Sequence, residues 1–135
     1  MIRKVMDAIY PRVGGLDVHE ETVVACRRRL ISDGQAESEV EIFKTTSAGL
    51  RALSDWLAEW KVTHVAMEST GVYWIPVWNV LEGQFELTLE NAHRLKKVPG
   101  RKDDISDAEW IAQCMEWGSC AGVSRRHGKS GKGGN

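Results

Sequence analysis

The sequence predicts an α/β domain, a mixed sheet with helices on both faces in the order βββ-α-β-α-β-α. Three observations carry that expectation. Short apolar or alternating runs crowd the first third of the chain with only turns between them, as in an antiparallel meander. Two later runs, Thr63–Glu68 and Phe85–Leu89, are separated by segments of helical period, and parallel neighbours need such a crossover. The 135 residues, 42% of them apolar, suffice for one domain with a real core.

Residues 1–12 lack periodicity, end near Pro11 and read as a lead-in. Val13–Val18 is the first strand, Glu20-Glu21 a turn, and Thr22–Arg29 a second, antiparallel strand. Asp33-Gly34 is a strong turn signal. Glu39-Val40-Glu41-Ile42 then alternates as a half-exposed third strand should. Thr45, Thr46 and Ser47 offer hydroxyl caps to a helix whose face is Leu50, Leu53, Leu57 and Trp60. Thr63–Glu68 is a fourth strand ending in an acid. Tyr73, Trp74, Val77, Trp78 and Leu81 mark a second helix, with Pro76 in its first turn or at a kink. Phe85–Leu89 alternates again as a fifth strand. From Asp104, a third helix shows Ile105, Ala108, Ile111, Ala112 and Met115 on one face. The domain thus spans residues 13–118, and 119–135 is a basic Gly/Ser/Lys-rich tail expected to be disordered.

Several function classes drop out. No apolar run approaches the roughly 18 residues of a membrane span. Met1–Asp7 has no signal-peptide core, so cytoplasmic is the default. The three cysteines, Cys26, Cys114 and Cys120, form no C-x-x-C pair, and His19, His64 and His93 show no metal spacing. Gly128-Lys129-Ser130 invites a phosphate-loop reading, but Gly122 stands at the wrong spacing and no helix can follow. The net charge of -1 is silent about nucleic acid. Locally, Arg94, Lys96, Lys97, Arg101 and Lys102 form a basic run without an acid that can meet phosphates or simply be solvated.

The chemistry lies in four acids. Asp17 sits in or at the end of the first strand, where a lone buried carboxylate is costly. Glu68 ends the fourth strand, and sites in α/β sheets gather at the carboxyl ends of parallel strands. Asp104 and Asp107, three apart, share one face if the third helix starts at Asp104; Asp103 is the nearest competitor to Asp104. Each acid has a plain reading by itself: Asp104 a helix cap, Glu68 a surface residue, Asp17 a lysine's partner. Taken together, converging carboxylates repel unless a hard divalent cation, magnesium or manganese, lies among them.

Gly15-Leu16-Asp17-Val18-His19, Met67-Glu68-Ser69-Thr70-Gly71-Val72-Tyr73 and Lys102-Asp103-Asp104-Ile105-Ser106-Asp107-Ala108 resemble, in this order, the N-terminal domain of the DEDD insertion-sequence transposases of the IS one-ten family. Members of that family resemble Holliday-junction resolvases of the RuvC type, and the likeness runs from about residue 12 to 118. The resemblance implies a ribonuclease H-like fold, with Asp17, Glu68, Asp104 and Asp107 as the catalytic, metal-binding acids. It implies Mg2+ or Mn2+ as cofactor, DNA as substrate, a structured bridge RNA as guide, and a homo-oligomer in the full-length form. Ser69, Thr70 and Tyr73 would shape the site around Glu68, and the run from Arg94 to Lys102 would face nucleic acid. Full-length members carry a second domain with a nucleophilic serine, which no serine here matches. The expectation is therefore an incomplete recombinase, the alternative a non-catalytic nucleic-acid-binding or oligomerising remnant. An actin-like kinase, which needs two domains and glycine-rich phosphate loops, does not fit.

Overall fold

A computed structural model describes residues 10–32, 34–90 and 106–118, and the backbone of 123–125. The elements are β1 (Arg12–Val18), β2 (Thr22–Ser32), β3 (Gln35–Lys44), α1 (Ser47–Glu59), β4 (His64–Ser69), α2 (Trp74–Leu81), β5 (Glu86–Glu90), α3 (Asp107–Glu116) and β6 (Val123–Arg125). The sheet order is β3-β2-β1-β4-β5-β6. The meander β1 to β3 is antiparallel, β1, β4 and β5 are parallel, and β6 returns antiparallel on β5.

Each local signal has a visible cause. Gly34 turns the β2–β3 hairpin at φ 72°, a left-handed value that glycine adopts without a Cβ penalty. The hairpin is longer than the alternation suggests because β3 pairs along nearly all of β2. The Thr46 hydroxyl accepts a hydrogen bond from the Gly49 amide, capping α1. Pro76 lies in the first turn of α2, where its missing N–H removes no helical bond.

The sheet separates two cores. On one face α1 and α2 bury Leu50, Leu53, Leu57, Trp60, Val77, Trp78 and Leu81 against Leu16, Val18, Val65, Met67 and Leu87. Trp74 packs on this core, edge-on to Trp78 with ring centroids 5.7 Å apart. A buried cation braces the same face. Arg27 is only 7% exposed. It donates to Trp56 O at 2.7 Å, Glu59 Oε1 at 2.8 Å and Glu39 Oε1 at 2.6 Å, and its guanidinium stacks over Trp56 and Trp60. On the other face α3 packs Ala108, Ile111, Ala112 and Met115 against Val13, Cys26 and Ala66.

Two expectations are corrected. The third helix begins at Asp107, not Asp104. Ser106 is extended at ψ 156° and forms a capping box with Glu109, each side chain bonding the other's backbone N–H. With Ser106 extended, the helix that carries Asp107 does not run back beyond it. Val123–Arg125, read from sequence as tail, forms β6 on the outer edge of β5. Three residues are too few to show a period, yet the open edge of β5 offers them hydrogen-bond partners.

Candidate functional site

β1 and β4 are parallel neighbours, and their register sets Asp17 directly opposite Glu68. Side chains alternate along a strand, so residues of one parity share a face. Leu16 and Met67 point into the α1/α2 core, whereas Val13 and Ala66 meet α3. Asp17 and Glu68 have the parity of Val13 and Ala66. They therefore emerge on the α3 side, at the carboxyl ends of both strands.

The third acid arrives with the helix. A Cβ on Gly15 would collide with the Ala108 carbonyl and the Ala112 amide. Glycine in the strand and alanines on the helix let α3 lie directly on the β1 backbone. Asp107, the first residue of α3, is thereby lowered onto the strand ends. One carboxylate oxygen each of Asp17, Glu68 and Asp107 lies within 4.8 Å of the others. Glu68 is buried, 7% exposed. His19 Nε2 lies 3.2 Å from Asp17 Oδ2, its ring half in solvent. The far end of α3 is held by Arg28 Nε, 3.1 Å from the buried Glu116 Oε1, and by the Tyr10 amide on Glu116 O. Glu116 Oε2 has no hydrogen-bond partner among the described residues.

Three hard carboxylate oxygens at this separation fit a magnesium- or manganese-type cation. Three oxygens on one octahedral Mg2+ stand between about 2.9 and 4.2 Å apart, so the carboxylates would draw closer together around a bound ion. Cys26, on the same face, is no ligand or nucleophile. Burial, reinforced by Glu109 and Glu116 and opposed by Arg28, pushes its thiol up to about 12.

Asp104, Asp103 and the basic residues Arg94, Lys96, Lys97, Arg101 and Lys102 lie outside the described residues. Ser69 ends β4 with its hydroxyl donated to Thr70 O, and Gly71 (φ 60°) leads the chain into α2 past exposed Val72, Tyr73 and Ile75. Sequence reasoning passed over Glu90. It ends β5 opposite Glu68 in the parallel register and is 3% exposed. The available signal was an acid at the carboxyl end of a strand expected to be parallel, the placement that drew attention to Glu68.

A family model described as Transposase, of the DEDD type named for IS110, matches residues 14–128. The chain belongs to the DEDD transposases. The match includes Asp17, Glu68 and Asp107, and extends beyond residue 118 to take in β6. No curated protein matches this transposase chain. Among solved structures it is similar to T. thermophilus RuvC in complex with a Holliday junction substrate, at 12% identity and TM-score 0.56, over 84% of this chain and 100% of that one. A second Thermus thermophilus RuvC structure matches at 13% identity and TM-score 0.55, covering 83% and 99% of the two chains. The transposase thus has the ribonuclease H-like fold of RuvC. Among its described residues no helix is long and apolar enough to cross a membrane.

Proposed function

We propose that this transposase domain performs divalent-metal-dependent phosphodiester chemistry on DNA, with Asp17, Glu68 and Asp107 holding the cation and Asp104 joining them. The observation that carries this reading is the register pair Asp17–Glu68 at parallel strand ends with Asp107 set over it. The transposase family and the fold shared with a RuvC solved in complex with a Holliday junction substrate support the choice of DNA.

Each residue has a derivable task. Asp17 and Glu68 stand on adjacent strands of a hydrogen-bonded sheet, so their backbones hold position without reorganising. Asp107 is fixed by the capping box of α3 and the Gly15 contact. The gathered carboxylates repel a phosphodiester by themselves, which makes approach of DNA depend on neutralisation. A bound cation supplies that neutralisation, lowers the pKa of a water and stabilises the leaving oxygen. The basic run begins at Arg94, four residues along the chain from Glu90, which ends β5 opposite Glu68. Arg94, Lys96, Lys97, Arg101 and Lys102 are assigned to the DNA backbone, where each lost contact weakens binding and flattens its salt dependence. Guidance by a structured RNA rests on the family resemblance alone.

The test is a manganese titration by calorimetry on the whole chain and on Glu68→Gln, repeated with branched DNA present. Binding that disappears in Glu68→Gln supports the reading. If neither protein takes up manganese, with or without DNA, the acids are structural, and the chain is a nucleic-acid-binding module at most.

A further inference from the structure

Helix α3 meets the sheet at three heights. Asp107, its first residue, stands with Asp17 and Glu68. Ala108 and Ala112 lie on Gly15. Glu116, its last residue, accepts the Tyr10 amide on its backbone carbonyl at 3.1 Å and Arg28 Nε on Oε1 at 3.1 Å. Arg28 stands opposite Val13 in the β1–β2 register, so this last contact ties the helix to β2 as well as β1. The Arg28–Glu116 pair joins segments 88 residues apart and is sunk in the interface, the two side chains 19% and 2% exposed. Stability alone does not account for it. Glu116 Oε2 has no hydrogen-bond partner among the described residues, and a buried acceptor left in that state is destabilising. Apolar side chains of similar volume often hold such a position equally well or better.

We propose that Arg28 and Glu116 are positioning residues for the cation site. Their pair fixes the slide and rotation of α3 at its last residue, and so sets where Asp107 stands against Asp17 and Glu68, about 14 Å away along the helix. This rests on the metal reading above and adds two residues that touch no ion. Gly15 against Ala108 and Ala112 sets how near the helix lies, and the apolar contact of Ile111 and Met115 is non-directional. The guanidinium–carboxylate bond is directional, and it is the contact that singles out one placement of the helix. A ten-residue helix carries a shift of one end to the other, and a site for a Mg2+-type ion tolerates only about half an ångström of misplacement.

Replacing both partners by apolar residues separates positioning from plain support, because it strands neither charge. The experiment is thermal unfolding of the ion-free whole chain alongside manganese calorimetry, on the wild type, the double variant Arg28→Met/Glu116→Met, and Asp107→Asn. The expected result for the double variant is a melting temperature equal to or above that of the wild type, with manganese affinity weakened about tenfold or more, the range seen when groups supporting a metal's ligands are removed. Undiminished affinity in the folded double variant overturns the proposal, and so does a loss of affinity that comes only with a lowered melting temperature. If the double variant does not fold, Arg28→Lys decides, since it keeps the charge and moves the donor: weaker manganese binding at an unchanged melting temperature supports the positioning role, and unchanged binding overturns it. If the wild type binds and Asp107→Asn binds equally, α3 carries no ligand and the positioning role falls while Asp17 and Glu68 stand. If the wild type takes up no manganese, with or without branched DNA, the metal reading falls and takes the positioning role with it.

Discussion

The two faces of the sheet are built to different ends. The α1/α2 face is thick with leucine and tryptophan and closed by Arg27, and its buried groups are spent on holding the fold. The α3 face is thin. At the helix–strand crossing it carries Gly15, Ala108 and Ala112, whose small size lets backbones approach, and it ends in the gathered carboxylates of Asp17, Glu68 and Asp107. One face stabilises, and the other positions. A substitution on the first should therefore cost stability and leave the site's chemistry, whereas one on the second should reach the site.

The largest effect is expected from Leu53→Ala, a fully buried side chain of α1. Chemical denaturation should show a loss of about 2–5 kcal/mol. Any folded fraction should still bind manganese as the wild type does; loss of binding in folded protein would break the division between the faces. Gly15→Ala should cost about 1–3 kcal/mol, because the added methyl lifts α3 off β1. Here manganese affinity must fall as well, since Asp107 rides on that helix, and unchanged affinity would show that α3 does not set the site. Arg27→Met removes the brace between β2, β3 and α1 while keeping much of its volume. Its partners Glu39 and Glu59 are themselves exposed and can rehydrate, so about 1–2 kcal/mol is expected, with no change in manganese binding.

The smallest effect concerns pH. Burial lowers the pKa of His64 below its ordinary 6.5, with Glu86 opposing. Its ring stacks on Tyr10 at 3.8 Å, and Thr63 Oγ1 lies 2.8 Å from Nδ1. As pH falls through 6.5 the unfolded chain takes up this proton before the folded one, so stability declines from there down to the folded value and is level above it. His64→Gln should flatten that decline in melting curves taken between pH 5 and 8. A slope identical to the wild type would place the titration elsewhere.

Much of the molecule follows from sequence because its causes are local. Alternation in β1 and β2, the leucine period of α1, the Thr46 cap, the turn at Gly34 and the place of Pro76 are settled by neighbours within a turn or two of chain. The carboxyl-end positions of Asp17 and Glu68 follow as well, since each ends an apolar run. The start of α3 was misjudged because two motifs overlap there. Apolar spacing runs back to Ile105, whereas the Ser106–Glu109 capping box, which fixes the boundary, is equally local and was the better signal. Nothing in the sequence singles out Arg27, because its partners lie 12, 29 and 32 residues away.

Chain order alone determined that three acids would stand at strand and helix ends on an α/β scaffold. The tertiary structure decided that they meet. Strand order and register are choices among distant segments, and a slip of one residue in β4 would turn Glu68 to the other face. Pairing β1 with both β2 and β4 puts Asp17 beside Glu68, and pairing β4 with β5 puts Glu90 in the same row. The missing side chain of Gly15 then brings Asp107 down to join them. No spacing in the sequence encodes these contacts, because each depends on how closely two backbones can pack.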